Sequence, residues 1–240
     1  MKKVLWAGLI GGFLVVIGIF LYEKMLNIPV NEEAIIQRDD AKSLDMTIHF
    51  GVGTLKMVGG ASDWVNGTFD YTDKKWKPSL TYKNKNKIGS AHLKQKSSMN
   101  IGFSNKKFQN DWSLQLTNEI PVKLAVSLGV STANLDLKGI QLSSLAIDSG
   151  VGESTIDLSG NWDHSFPVDL RLGVGDTTIY LPKDTGIKLV VSKGVGRFNT
   201  NDFIPQGKGV YVNEAYGTAK HTIDLSIDMG VGNVTFKIVD

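Results

Sequence analysis

The chain has 240 residues, 26 of them Gly and only 6 Pro, with no Cys, 42% hydrophobic and 21% charged residues and a formal net charge of +2. That length is ample for a buried core, and the moderate charge excludes wholesale disorder. The absence of cysteine excludes a disulfide framework, a thiol nucleophile and any thiolate metal or iron–sulfur site. Glycine, at about 11% against a usual 7%, is enriched without the triplet period or proline of collagen, so the glycines belong at particular backbone positions.

The N-terminus carries the first element. Val4 to Tyr22 is a run of 19 residues without a charge, preceded by Lys2 and Lys3 and followed by Glu23 and Lys24. As a helix it would span about 28 Å, close to the thickness of a bilayer core. The flanking lysines predict a cytoplasmic N-terminus and an uncleaved anchor over residues 1–22, with Trp6 and Tyr22 at the two interfaces. A cleaved signal peptide is the competing reading, but the apolar run is long for one and no A-x-A site follows it. Either way the rest of the chain is extracytoplasmic. Residues 23–45, polar and containing Pro29 and the pair Glu32-Glu33, read as a juxtamembrane connector.

From residue 46 onward a repeat organises the chain. Gly-Val-Gly begins at Gly51, Gly150, Gly173, Gly194 and Gly230, and Gly-Val-Ser begins at Gly129. Chance would give on the order of 0.3 copies of the triplet. On both sides of each copy apolar residues alternate, and the alternation slips by one residue at the triplet. Val168, Leu170 and Leu172 precede Gly173, whereas Ile179 and Leu181 follow it. Period-two alternation is a strand with one buried face, and a one-residue slip turns that face over unless the backbone turns too. Each triplet therefore reads as a corner, with Val pointing inward and the glycines supplying the bend. The corner residues are Gly51, Gly53, Gly129, Gly150, Gly152, Gly173, Gly175, Gly194, Gly196, Gly230 and Gly232. The expected fold is all-β: a β-solenoid over residues 46–240 with rungs of about 22 residues. Residues 59–118 interrupt the repeat as inserted basic strands or a cap, and 199–220 as a surface loop or hairpin.

The stretch from Asp45 carries Gly51-Val52-Gly53-Thr54-Leu55, Gly59-Gly60-Ala61 and Lys77-Pro78-Ser79-Leu80-Thr81-Tyr82, followed by the Gly-Val-Gly repeats. It resembles the bacterial toast-rack family and the cell-wall-active antibiotic response proteins related to LiaF. The resemblance covers about residues 45–240. It implies an extracytoplasmic β-solenoid. LiaF is a membrane inhibitor of an envelope-stress two-component system, but it has several membrane spans where this chain has one predicted. The role expected from anchor, repeats and resemblance is a non-catalytic scaffold or regulator in the cell-envelope stress response, with another envelope protein or a sensor kinase as partner.

Constellations that would carry chemistry are missing. His49, His92, His164 and His221 are scattered, with no His, Asp or Glu partner at a metal-ligand spacing with helical support. Asp163-His164-Ser165 has triad residue types, but neighbours on one loop cannot form a triad. Asp136, Glu153, Asp157 and Asp176 follow corners without the calcium-wrapping pattern of repeat solenoids, and read as a solvated face. No phosphate loop is present. The expectation is no enzyme, no metal and no cofactor.

Charge is nevertheless sorted. Residues 25–72 sum to −4 and 109–240 to −5, whereas 73–108 hold ten lysines and one acid, net +9. Lys74, Lys75, Trp76, Lys77, Lys83, Lys85, Lys87, Lys94, Lys96, Lys106 and Lys107 form a candidate patch for anionic wall polymer or lipid headgroups, and the location argues against nucleic acid. The competing reading is a set of edge strands protected by lysine.

Overall fold

In a computed structural model, residues 29–73, 76–95 and 108–239 are described. Among them the slipped alternation builds long strands bent at their glycines. The elements are β1 (Val30–Ile36), β2 (Ser43–Gly59), β3 (Val65–Tyr71), β4 (Pro78–Lys85), β5 (Ile88–Gln95), β6 (Asn110–Leu116), β7 (Val122–Asp136), β8 (Leu142–Asp157), β9 (Phe166–Pro182), β10 (Gly186–Asn199), β11 (Ile204–Gly207), β12 (Val210–Val212) and β13 (Thr222–Val239). All belong to one sheet that does not close, ordered β1-β3-β6-β2-β7-β8-β9-β13-β10-β12-β11, with the β4–β5 hairpin attached to β2.

Six of these strands, β2, β7, β8, β9, β13 and β10, run parallel and place their corners in register. Connection length shows why they must fold back. The 15 residues of β7, straight, would extend about 50 Å. The link to β8 is residues 137–141, which reach at most about 18 Å. Because β8 starts beside the start of β7, each strand has to double back at its corner, so its two halves face one another across the core. Phe50, before the first corner, packs edge-on against Trp112, which sits beside Leu55 after that corner, with ring centroids 4.9 Å apart. The core is a ladder of Leu, Ile, Val and Met from both halves, such as Leu124, Leu145, Val168 and Leu225 against Leu135, Ile156, Ile179 and Phe236.

One expectation is corrected, and two further features of the stack emerge. First, the central valines point outward. Val130, Val151, Val174, Val195 and Val231 are 47–71% exposed, while Leu172 before the corner and Thr177 after it are buried. The slip is a bend, shared in register by the neighbouring strands, in which two successive residues, Gly173 and Val174, leave the buried series and the third residue of the triplet takes the inside. That inner position is tight: a Cβ on Gly175 would fall on the carbonyl oxygen of Gly152, and φ there is +142°. Secondly, the rungs do not stack in sequence order. The C-terminal strand β13 inserts between β9 and β10, so the Gly230 corner lies between those of Gly173 and Gly194. Thirdly, the sheet begins inside the expected connector, because β1 and the first residues of β2 precede residue 46.

The two ends are finished differently. On β2, the β4–β5 hairpin covers the half before the corner and β6, β3 and β1 cover the half after it. Between them the corner would be left without partners. Gln95 Oε1 accepts from the Gly51 and Val52 amides at 2.8 and 3.2 Å, and Asn110 Nδ2 donates to the Val52 carbonyl. At the far end β12 covers the first half of β10. There buried Asn213 accepts from the Ile187 amide and donates to the Thr185 carbonyl, both at 2.8 Å. Asn213→Ala strands both groups and should cost about 2 kcal/mol, read as a lowered urea midpoint with an unchanged slope. A variant as stable as the parent would mean that the hairpin is held by packing alone.

The apolar segment 4–22 lies outside the described residues. Among those described, no helix is long and apolar enough to cross a membrane.

Candidate functional site: the lysine hairpin and its carboxylate lock

β4 and β5 join through Asn86 and Lys87, whose positive φ values of 54° and 63° form the tight turn that antiparallel strands favour. The pairing sets Thr81 opposite His92 and Lys83 opposite Ser90, so exposed Lys83, Lys85, His92 and Lys94 share one face of the hairpin. β2 extends that face, with His49 beside Lys94. Lys87 is exposed at the turn, at the opposite end from Lys94. The lysines therefore form a stripe along the hairpin and not a pocket.

Two patch residues differ from expectation. Trp76 is only 8% exposed and belongs to the core, packing edge-on against Phe108 at 5.4 Å, so it cannot serve as an exposed aromatic contact. Lys77 is exposed but paired, its Nζ 2.7 Å from Glu32 Oε1. Lys77, together with the hydroxyl of Tyr71, holds the Glu32 carboxyl below its ordinary value, while burial and Glu32 push Tyr71 up to about 12. Lys74, Lys75, Lys96, Lys106 and Lys107 lie outside the described residues.

Sequence reading missed what docks the hairpin. Asp39 accepts from Trp64 Nε1, Tyr82 Oη and Asn84 Nδ2, each at 2.9 Å, and from the Ala41 amide at 3.0 Å. Partial desolvation raises the pKa of its carboxyl, but the four donors outweigh it and bring the group down to about 2. Burial, then Asp39, raises Tyr82 to about 12. The depressed carboxyl contributes stability above its unfolded value near 4 and loses it as pH falls towards 2. The raised phenol contributes below pH ~10 and loses it towards 12. Hairpin docking should thus hold between about pH 4 and 10 and loosen on either side, seen in the Trp64 indole N–H resonance. In Asp39→Asn the acid step should vanish; an unchanged step would place the titration elsewhere. The only sequence hint was Asp39-Asp40 followed, beyond two intervening strands, by Tyr82 and Asn84.

The other polar candidates are engaged by neighbouring groups. Asp136 and Asp157 are register partners on neighbouring rungs, and Lys138 Nζ bridges them at 3.5 and 3.1 Å. His164 places Nδ1 2.7 Å from Asp163 Oδ1 and Nε2 2.6 Å from the Leu142 carbonyl. Both contacts raise its pKa, that with Asp163 most, whereas Ser165 Oγ is engaged by the Thr222 amide. Asp176 Oδ1 accepts from the Asn233 side chain at 2.8 Å. Among the described residues no cluster of His, Asp and Glu is arranged to hold a metal ion. A shallow depression of about 220 Å³ lies on the outer face, lined by Ala125, Ser127, Ala146, Asp148, Asp169 and Arg171.

Comparison with known proteins agrees with this architecture. The profile described as the N-terminal domain of toast_rack, DUF2154, matches residues 27–180, and that of the cell wall-active antibiotics response protein LiaF, C-terminal, matches 130–236. A proposed cell adhesion protein from Clostridium sporogenes is 34% identical, with 87% of this chain and 100% of that one covered, at a TM-score of 0.82. A proposed adhesin from Bacteroides fragilis is 13% identical over 87% of this chain and 97% of its own, at a TM-score of 0.33. No curated protein matches the chain. With its bent strands, stacked corners and a family profile spanning well over half of it, the chain belongs to the toast-rack, LiaF-like family.

Proposed function

We propose that the chain is a non-catalytic membrane protein with a cytoplasmic N-terminus, whose solenoid-like β module stands outside the cell as a scaffold or regulator in the envelope stress response. Family membership and the 34%-identical relative support an envelope-associated, non-enzymatic role. The observation that carries the finer reading is the outer surface of the rungs. In-register stacking lines up like positions into rows, such as Thr155–Thr178–Thr235 and Asp148–Arg171–Asp228. Rows of this kind make a long, regular face suited to an extended partner and not to a small substrate. The partner class is another envelope protein or a sensor kinase. A strain lacking the protein should show an altered envelope-stress transcript profile under wall-active antibiotics; an unchanged profile contradicts the proposal.

The shared face of Lys83, Lys85 and Lys94 favours a second reading, binding of anionic wall polymer or lipid headgroups. Each lysine near an anionic surface contributes about 1 kcal/mol, so replacing Lys83, Lys85, Lys87 and Lys94 by Gln should weaken salt-sensitive sedimentation with cell wall by about a thousandfold. Equal sedimentation of parent and variant contradicts it and leaves the lysines as protection of the β4 edge.

A further inference from the structure

The outward turn of the corner valines creates a feature that none of the roles above uses. Half-buried Val52 and exposed Val130, Val151, Val174, Val231 and Val195 are successive register partners across six strands. At about 4.8 Å per strand they form an apolar ladder about 24 Å long. Val30 and Phe108, 38% and 48% exposed, lie on the same edge. Val30 pairs with Tyr71, and Tyr71 with Asn110, whose side chain bonds the corner carbonyl of Val52. Phe108 adjoins that corner beside Gln109 and Asn110. Of the thirteen large apolar residues exposed among the described residues, seven belong to this one edge. The opposite edge, where the rungs are joined by turns, exposes Arg38, Glu119, Lys138, Asp163 and Asp184.

We propose that this corner edge is a membrane-docking surface, the valine ladder resting on the bilayer that holds the N-terminal apolar segment. The inference rests on the anchored reading. It is supported by where the chain enters the sheet. The 19-residue uncharged run ends at Tyr22, and only residues 23–29 separate it from Val30. Those seven residues reach at most about 25 Å and join the sheet at Val30, on its corner edge, so the tether acts directly on that edge. Charge is uneven along the ladder. Lys94 is exposed at the β2 end and Arg197 at the β10 end. Between them Asp148 and Asp228 flank Arg171, and Glu153 pairs with Asp176. Apolar contact is therefore the main attraction and the β2 end approaches first, because a contiguous exposed apolar stripe on a soluble face is unfavourable until covered.

The chain has no cysteine, so single labels can be placed without background. An environment-sensitive fluorophore goes on Val151→Cys or Val174→Cys at the crest, and on Asn161→Cys or Asp184→Cys at the turn edge. Each full-length chain is reconstituted in vesicles of phosphatidylethanolamine and phosphatidylglycerol. The expected result is that all four chains float with the vesicles, that crest labels shift to the blue and are quenched from the lipid, and that turn-edge labels are quenched only from water. A chain carrying Val130→Asp and Val231→Asp should still float while its crest label returns to water. If the chains float but crest and turn-edge labels are equally aqueous, docking is overturned and the anchor stands. If the crest label is shielded only as protein concentration rises, without quenching from lipid, a second copy covers the ladder and docking is likewise overturned. If no chain floats, the anchored reading and the docking surface both fall.

Discussion

Gly175→Val is expected to abolish folding or to cost more than about 4 kcal/mol, a large part of the 5–15 kcal/mol by which a domain is usually stable. Two causes add. At φ +142° a β-branched L-residue is strained, and its Cβ would overlap the carbonyl of Gly152 on the preceding rung. That carbonyl belongs to the parallel ladder and cannot move without opening it. Gly173→Val should be nearly as damaging for the second cause alone, since its Cβ would strike the Gly150 carbonyl although its φ is ordinary. Gly160→Val is the milder comparison: its Cβ would meet the backbone of Gly139 and Lys138 at 3.3 Å, a tight contact but not an overlap. Denaturant midpoints of the three variants check the order. Equal losses would mean that the corners tolerate side chains and that the glycines are not what lets the rungs stack.

Trp112→Ala should also be costly, at about 4 kcal/mol. The ring is 1% exposed and touches Phe50 and Phe69 edge-on, at 4.9 and 5.4 Å between centroids, so it joins the two halves of the first rung to the cap. Its Nε1 also donates to Asn110 Oδ1 at 3.1 Å, and Asn110 in turn holds the Val52 carbonyl. Truncation leaves a cavity and frees the side chain that closes the corner of β2. The loss should appear as a lowered urea midpoint with an unchanged slope. A loss below about 1 kcal/mol would mean that the cap is not packed as described.

The strands were legible because one-sided burial writes period two into the sequence, and the corners because the slip recurs at six triplets. The direction of the valine was not. Counting alternation forward from Leu170 and Leu172 assigns Val174 to the buried series, and only the bend at Gly173 sends it out. A signal was nevertheless present. The third residue of the triplet is always Gly or Ser, the size limit of a position inside a tight bend, whereas the second is always a bulky Val. The interleaving of β13 had no local signal, since a strand that fits between β9 and β10 alternates like one that fits beyond them. The longer spacing from Gly194 to Gly230 marked an insertion without saying where the chain returned. At the candidate site, lysine exposure followed from composition. The burial of Trp76 and the convergence of four donors on Asp39 depend on strand pairings distant in sequence.

The in-register, interleaved stack of corners is the central claim, and paired cysteines test it most directly. Neighbouring strands lie about 4.8 Å apart, within disulfide reach, and strands two apart about 9.6 Å, beyond it. Oxidation of the folded chain should crosslink Val174→Cys with Val231→Cys, and Val231→Cys with Val195→Cys, but not Val174→Cys with Val195→Cys. Crosslinking of the 174–195 pair, with none between 174 and 231, would mean that the rungs stack in sequence order and would contradict the account.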